Sequence, residues 1–486
     1  MIKQLYLTLL ICSRQITILL LQYGYKGKLI KEYLEVTHPQ HNFIFVEIDN
    51  YDSTNSGPGY SALKCIDYLQ RPFYFITGDC MVDTPIPNID GNWLGVYPTS
   101  YPEKYSTIET DKDNNIISFM NKNEHGHDLA FIGLGGIFDY TIFWDELKKN
   151  MSGFELVNAF LNTKSYPTLK SKKFIWLDTG NLDDLQKTRE HFNDKPLSLK
   201  KEIGEITYLD NGIFLKFHPD QSILNRKISR AKHLMDNLPK PLGYTPNFIF
   251  YDWVKGKTLY ELDDLNVFNK FLDFFSNKID EIKNPNEEDL RSFYITKTKD
   301  RLKKFVTKYG TKYLTDEHEI NGKKRDSLEN LIMDDVKFNK LMDNSFYNEF
   351  HGDLQFDNVL YSHDKNTFFY IDWRDSFGKS TDAGDIYYDL SKLYGGLIIP
   401  YNLMKNEDNI TLTEGSYSVS YSYKISENLS KFILIYENWL IKNGFDLQKV
   451  KFITGLIYLN MSPLHDGKFG KMLWFKSIEM LSDYDK

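Results

Sequence analysis

Up to about Asp194 the chain alternates two patterns. Short apolar runs at residues 16–21, 43–48, 73–77, 93–97 and 131–138, bounded by Gly, Asp or Pro, predict strands. Between them, residues 27–35 and 59–69 carry helix-like periodicity. Such alternation predicts an α/β sheet with many parallel strands. Around residues 191–196 the pattern breaks at Asn193, Asp194, Lys195 and Pro196, which places a boundary between domains 1–195 and 196–486. Beyond it, apolar runs at 205–209 and 213–217 flank Asp210-Asn211-Gly212, a strong hairpin signal. From Asp263 helices dominate: Phe268, Phe271, Leu272, Phe275 and Ile279 fall on one helical face, and another helix is predicted near 429–441. The second part therefore divides into a small β lobe, 200–262, and a helical lobe, 263–486. No internal repeat or low-complexity tract interrupts either part.

Composition narrows the function classes. The 486 residues, 41% hydrophobic and 26% charged, suit two globular domains. A net charge of -8 lacks the basic footprint of a nucleic-acid binder, so no nucleic-acid partner is expected. Cys12, Cys65 and Cys80 are too few for a disulfide framework or a cysteine zinc site, which points to a cytoplasmic protein. Residues 5–12 form an apolar run behind Lys3, but Arg14 and Gln15 interrupt it and no small-residue cleavage site follows. A helix leading into a buried strand is expected there, with no membrane partner.

The densest chemistry lies in His351-Gly352-Asp353-Leu354-Gln355-Phe356-Asp357-Asn358, followed by Ile371-Asp372-Trp373. Phosphoryl transfer needs a carboxylate to take the proton of the attacking hydroxyl, hard oxygen ligands for Mg²⁺, and a Lys on the phosphates. Asp353 supplies the base, Asn358 and Asp372 the metal ligands, and His351 structures the loop. Each residue alone would be an ordinary turn residue; their joint spacing carries the signal.

These motifs resemble the aminoglycoside phosphotransferase and choline kinase superfamily, relatives of the protein kinases, over roughly residues 200–486. The resemblance implies a bilobal protein-kinase-like (α+β) domain using ATP and Mg²⁺. It makes Lys216, on the predicted hairpin, the phosphate-contacting lysine, with a solvated strand-edge lysine as the plainer alternative. It sets residues 248–256 against the adenine and Gly384-Asp385-Ile386-Tyr387-Tyr388-Asp389-Leu390 behind the catalytic loop. One departure stands out. The stretch Asn225-Arg226-Lys227-Ile228-Ser229-Arg230-Ala231-Lys232, where relatives carry a Glu that orients the Lys, is basic. Either another carboxylate serves, or Lys216 is held less tightly.

In the first part, the run 73–77 ends in Gly78-Asp79, and Phe174-Ile175-Trp176-Leu177 ends in Asp178. Two converging carboxylates suit one Mg²⁺ on a nucleoside triphosphate, while either alone suits a turn or cap. These segments, with Gly24-Tyr25-Lys26-Gly27 and Ser56-Gly57-Pro58-Gly59-Tyr60-Ser61, resemble the sugar-phosphate nucleotidyltransferase family over about residues 14–192. The resemblance implies an incomplete Rossmann-like sheet domain that binds CTP or another NTP, with Asp79 and Asp178 as metal ligands and Gly57 and Ser61 near the base. The family's opening strand and Gly-rich loop with its catalytic Arg have no counterpart before Gly24. A truncated start and weak or absent nucleotidyl transfer are therefore expected.

The combined expectation is a phosphotransferase for the hydroxyl of a small molecule, fused to an impaired nucleotidyltransferase, serving surface polysaccharide or lipid head-group precursors. An antibiotic-modifying phosphotransferase and a non-catalytic nucleotide-binding pseudo-enzyme remain alternatives. Trp373, Asp375 and Tyr394 are candidate lining for a cationic acceptor. His125 and His127 read as a polar loop, residues 416–424 as a strand or substrate-facing loop, and His465 as structural.

Overall fold

The computed structural model describes residues 18–49, 58–120, 126–149, 169–192, 205–210, 212–232, 234, 238–277, 279, 286–332, 347–404 and 406–484. The chain divides into two compact units, residues 1–199 and 200–486.

In the first unit, β1 (Leu19–Tyr23) and β2 (Phe43–Glu47) run parallel across α1 (Gly27–Thr37), which buries Tyr33 and Leu34. Then follow α2 (Pro58–Leu63), β3 (Phe73–Ile76), β4 (Cys80–Val82), β5 (Trp93–Pro98), β6 (Thr107–Thr110), β7 (Ile116–Met120) and β8 (Leu129–Ile137). The unit continues through α3 (Tyr140–Lys149), β9 (Lys170–Lys173), β10 (Trp176–Asp178) and α4 (Leu182–His191). The central sheet runs β7-β6-β8-β5-β9, with β3 also paired to β8.

The expectation of many parallel strands is corrected here. Among the described residues of this unit only β1/β2 and β5/β9 pair parallel, whereas β8 runs antiparallel to β3, β5 and β6, and β4 to β10. Hydrophobic periodicity marks a strand but carries no sign of its direction. The helix expected over 59–69 stops at Leu63, and a separate 3-10 turn covers Ile66–Tyr68. Leu94, Val96 and Ile137 form a core with Phe143, Trp144 and Leu147 from α3, and the Phe73 ring stacks on Trp144 at 5.3 Å.

The second unit opens with an antiparallel sheet, β11 (Ile206–Asp210), β12 (Ile213–Phe217), β13 (Pro241–Tyr244) and β14 (Phe248–Asp252), ordered β11-β12-β14-β13. The hairpin expected around Gly212 is β11–β12, with Gly212 in the left-handed region at φ 74°. Between β12 and β13 lies α5 (Gln221–Ala231), whose first N–H groups are accepted by Asp220. β15 (Lys257–Thr258) and α6 (Leu265–Ser276) follow, and α6 buries Phe268, Phe271, Leu272 and Phe275 on the predicted face. A π-helical turn, Arg291–Thr296, leads into α7 (Lys297–Tyr309).

Next come the hairpins β16 (His318–Ile320)/β17 (Lys323–Arg325) and β18 (Val359–Ser362)/β19 (Thr367–Tyr370). After α8 (Ile386–Ile398), β20 (Ile410–Glu414) and β21 (Ser418–Tyr423) form a further hairpin, so the serine-tyrosine stretch is mostly strand. Tyr421 donates to Glu479. The chain closes with α9 (Glu427–Lys442), α10 (Leu447–Met461) and α11 (Gly467–Ser482). Helix α8 is buried from Ile386 to Leu397, polar residues included, because α9 and α10 pack on it. No helix among the described residues is long and apolar enough to cross a membrane.

Candidate functional site

The β18–β19 hairpin sets the second unit's site. Val359 lies opposite Tyr370, and the Ile371 N–H donates to the Asn358 carbonyl at 3.0 Å, so Asn358 and Asp372 leave its open end side by side. The preceding loop turns at Gly352, φ 84°, where a side-chain carbon would lie 2.5 Å from Arg374 Cβ. Glycine alone meets both demands without strain.

A buried carboxylate clamps that loop. Asp389, on α8, accepts from the His351 N–H at 2.6 Å and the Gly352 N–H at 2.7 Å. Burial pushes its carboxyl up to about 7, against the pull of those two N–H groups and of Arg230. The buried Arg230 donates to the carbonyls of Phe350 and Thr381, tying α5 to the loop. His351 donates from Nε2 to the Ile371 carbonyl at 2.9 Å and accepts the Asp353 N–H at Nδ1, 3.2 Å away. Burial lowers this imidazole to about 4, so near neutral pH it is an uncharged brace between the loop and Asp372's strand.

The brace presents Asp353. Its carboxylate lies 2.7 Å from Lys392 Nζ and accepts from Asn358 Nδ2 at 3.1 Å. Burial alone would lower the Lys392 amine; Asp353, with the Tyr388 and Tyr401 hydroxyls, outweighs it and holds the amine above its usual range. Asp372 sits at φ 62°, in the left-handed region that a short carboxylate side chain tolerates better than most. Its Oδ1 lies 2.5 Å from Lys216 Nζ.

Lys216 is also 3.4 Å from Glu205 Oε1, and Lys227 reaches both Glu205 at 3.6 Å and Asp372 at 3.9 Å. Glu205, just before β11, is thus a carboxylate beside Lys216, while Lys227 on α5 adds a second cation. Glu205 precedes β11 and does not lie on α5, so a scan of that helix alone could not find it. Lys392 was likewise unread, although it lies one helical turn beyond Asp389.

Lys216, Asp372, His351, Asp353 and Asn358 therefore form one connected constellation. The acceptor-lining candidates do not join it. Asp375 pairs with Arg226 at 2.7 Å, Trp373 Nε1 donates to the Lys227 carbonyl at 3.0 Å, and Tyr394 donates to Glu437 at 2.5 Å. The His465 ring packs on Phe469 at 4.7 Å.

In the first unit, antiparallel pairing sets Asp178 opposite Cys80, next to Asp79. The Thr179 N–H and hydroxyl both donate to the Asp79 carbonyl, at 3.1 and 3.0 Å. A side-chain carbon on Gly180 would lie 3.2 Å from Asp178 Oδ1 and 3.5 Å from Asp79 Oδ2, so the two carboxylates do converge. Asp178 accepts from Tyr105, whose hydroxyl burial and Asp178 together push up to about 12. Ser61 lies on α2, where its carbonyl accepts the Cys65 thiol, and makes no contact with the pair. Gly57 lies outside the described residues, as do Cys12, Asn211 and His125. His127 stands 3.9 Å from Glu109, and no cluster of three metal-binding side chains occurs among the described residues.

No family model and no curated protein matches this chain. Among solved structures, HddC from Yersinia pseudotuberculosis is similar at 19% identity, covering 39% of this chain and 84% of its own, with a TM-score of 0.32. The inositol-1-phosphate CTP transferase from T. maritima is similar at 15% identity, 40% and 85% coverage and TM-score 0.33. The CTP:phosphocholine cytidylyltransferase from Streptococcus pneumoniae (LicC) is similar at 12% identity, 39% and 85% coverage and TM-score 0.32. These similarities fall on the N-terminal part of the chain.

Proposed function

We propose that the second unit is a protein-kinase-like phosphotransferase that moves the γ-phosphoryl of ATP to a hydroxyl of a small molecule. The observation that carries this reading is the junction of Lys216, Glu205 and Asp372 beside Asp353 and Asn358. Asp353 takes the proton of the acceptor hydroxyl as its oxygen bonds to the γ-phosphorus and the bond to the departing ADP oxygen breaks. Lys392 sets a positive charge against Asp353, and His351 with Asp389 fixes the loop that presents it. Glu205 aims Lys216 at the phosphates.

The donor set suits Mg²⁺, a hard cation that takes oxygen ligands: the amide oxygen of Asn358, whose nitrogen is turned to Asp353, and the Asp372 carboxylate. Held by Asn358 and Asp372, Mg²⁺ would offset the negative charge of the nucleotide phosphates. For the first unit, the Asp79–Asp178 pair favours a site for a metal-bound nucleotide, CTP or another NTP. Fusion of the two would let one chain make a phosphomonoester and activate it in the cytoplasm, as surface polysaccharide or lipid head-group precursors require.

The test is Mg²⁺-dependent ATP consumption by purified protein against sugars, amino alcohols, hydroxy acids and aminoglycosides. Asp353→Asn should lower turnover at least about 10³-fold while ATP still binds. Unchanged turnover would remove Asp353 from its role. ATP binding without turnover across the whole panel would favour the pseudo-enzyme instead.

A further inference from the structure

Two of the basic residues on α5 serve the fold. Arg226 pairs with Asp375 at 2.7 Å, and the buried Arg230 donates to the carbonyls of Phe350 and Thr381. Lys227 is placed differently. Its carbonyl accepts from Trp373 Nε1 at 3.0 Å, which sets this turn of α5 against the residue after Asp372. Its Nζ lies 3.6 Å from Glu205 Oε2 and 3.9 Å from Asp372 Oδ1. Lys216 reaches the same two carboxylates from β12, at 3.4 Å from Glu205 Oε1 and 2.5 Å from Asp372 Oδ1. Two ammoniums and two carboxylates thus alternate in one closed ring, and both ammoniums flank the same Asp372 oxygen. The four side chains are only 9 to 17% exposed, so water screens their charges weakly.

The two lysines are held unequally. Lys216 hydrogen-bonds to Asp372, whereas both Lys227 distances exceed a hydrogen bond. Charge attraction keeps the Lys227 ammonium at the ring, and its N–H groups are not spent on either carboxylate. Orientation does not require it either, since Glu205 already stands beside Lys216. What Lys227 adds is positive charge. The ring is balanced only while Asp372 counts against the lysines; a cation drawn to Asp372 leaves two ammoniums facing Glu205 alone. A compact ammonium with free donors suits a phosphate oxygen, and two of them flanking one point suit neighbouring phosphoryl groups.

We propose that Lys227 is a second phosphate-contacting lysine, so that β12 and α5 together clamp the phosphates of one nucleotide between two ammoniums. The proposal rests on the phosphotransferase reading, in which Lys216 meets those phosphates, and adds a nucleotide-binding residue to it.

The experiment titrates ATP, ADP and adenosine into the full-length protein by calorimetry, with Mg²⁺ fixed and no acceptor present, so that binding is read without turnover. Lys227→Met should weaken ATP binding about tenfold, the scale of one charge-assisted contact, and leave adenosine within about twofold. Lys227→Arg, which keeps the charge, should recover most of that loss. Lys227→Met/Glu205→Gln removes one charge of each sign and keeps the ring balanced, which guards against misfolding of the single variant. It should bind ATP about tenfold more weakly than Glu205→Gln alone. If the double variant binds ATP as tightly as Glu205→Gln, Lys227 merely balances Glu205 and the second phosphate lysine is overturned. Equal weakening of ATP and adenosine in Lys227→Met would overturn it too, because packing and not a phosphate contact would then be lost. Either result is compatible with ATP consumption that depends on Asp353, and leaves the phosphotransferase standing. Wild-type protein that binds none of the three ligands would remove the nucleotide site, and both readings would fall together.

Discussion

Each unit sets two aspartates within one cluster of side chains, yet the two clusters are built to different standards. Asp79 and Asp178 converge on Gly180 with a tyrosine hydroxyl and backbone N–H groups for company. Asp353 and Asp372 each have a lysine within ion-pair distance, and a buried histidine, a buried aspartate and a buried arginine fix the loop between them. Converging carboxylates can hold a cation, but they do not by themselves orient a nucleotide. The second site holds its positive charges in place through ion pairs within the fold.

The contrast can be broken most directly at Lys216. If the preset charge matters, Lys216→Ala should lower kcat/KM for ATP by about 10²- to 10³-fold, the usual scale for removing one fixed donor to developing negative charge. A drop of less than about threefold in steady-state assays would make Lys216 an ordinary strand lysine.

The loop brace predicts a pH effect. The ordinary value of His351 is 6.5, and the fold holds it at about 4. The unfolded chain therefore takes up this proton first, so the group's stabilisation is complete above about pH 6.5 and is lost as pH falls toward 4. The swing is about 3 kcal/mol. Asp389 runs the opposite way: raised from 3.8 to about 7, it favours the fold at low pH and loses that contribution as pH rises toward 7. His351→Gln leaves only the second slope. Denaturant titrations at about pH 7 and about pH 4 should show the variant gaining about 3 kcal/mol relative to wild type on acidification. Parallel curves for the two proteins would show that His351 is not held neutral.

Glu205 sharpens the comparison on a smaller scale. Glu205→Gln should raise the KM for ATP about tenfold, as expected for one charge-assisted contact, with kcat less affected. A larger fall in Lys227→Met than in Glu205→Gln would transfer the orienting role to Lys227. The smallest effect is expected in the first unit: Asp178→Asn should leave acceptor-dependent ATP consumption unchanged within error while weakening Mn²⁺ binding measured by calorimetry. Equal Mn²⁺ affinity in wild type and variant would deny Asp79 and Asp178 a shared metal.

Much of this was legible in the sequence because it is local. The β11–β12 hairpin follows from Asp210-Asn211-Gly212, the buried face of α6 from its phenylalanine spacing, and the loop from His351 to Asn358 from residues within one turn of each other. What the sequence hid is non-local. Strand direction around β8 depends on connections that periodicity does not encode. Glu205 reaches Lys216 from outside the helix that the sequence pattern pointed to. Lys297 and Arg374 meet on Phe293 only because α7 and the segment after β19 come together. The contacts of Trp373, Asp375 and Tyr394 were hidden for the same reason, since their partners Lys227, Arg226 and Glu437 are distant in sequence.

The π-helical turn at Arg291–Thr296 holds one residue more than an α-helix would use in the same rise. Losing a single codon there would restore regular winding and turn one side of the helix against the other by about 100°. Phe293 and Tyr294 could then no longer line one narrow recess with Lys297. A change of one residue in length, with no substitution near Asp353, would thus re-aim Phe293, Tyr294 and Lys297 relative to one another.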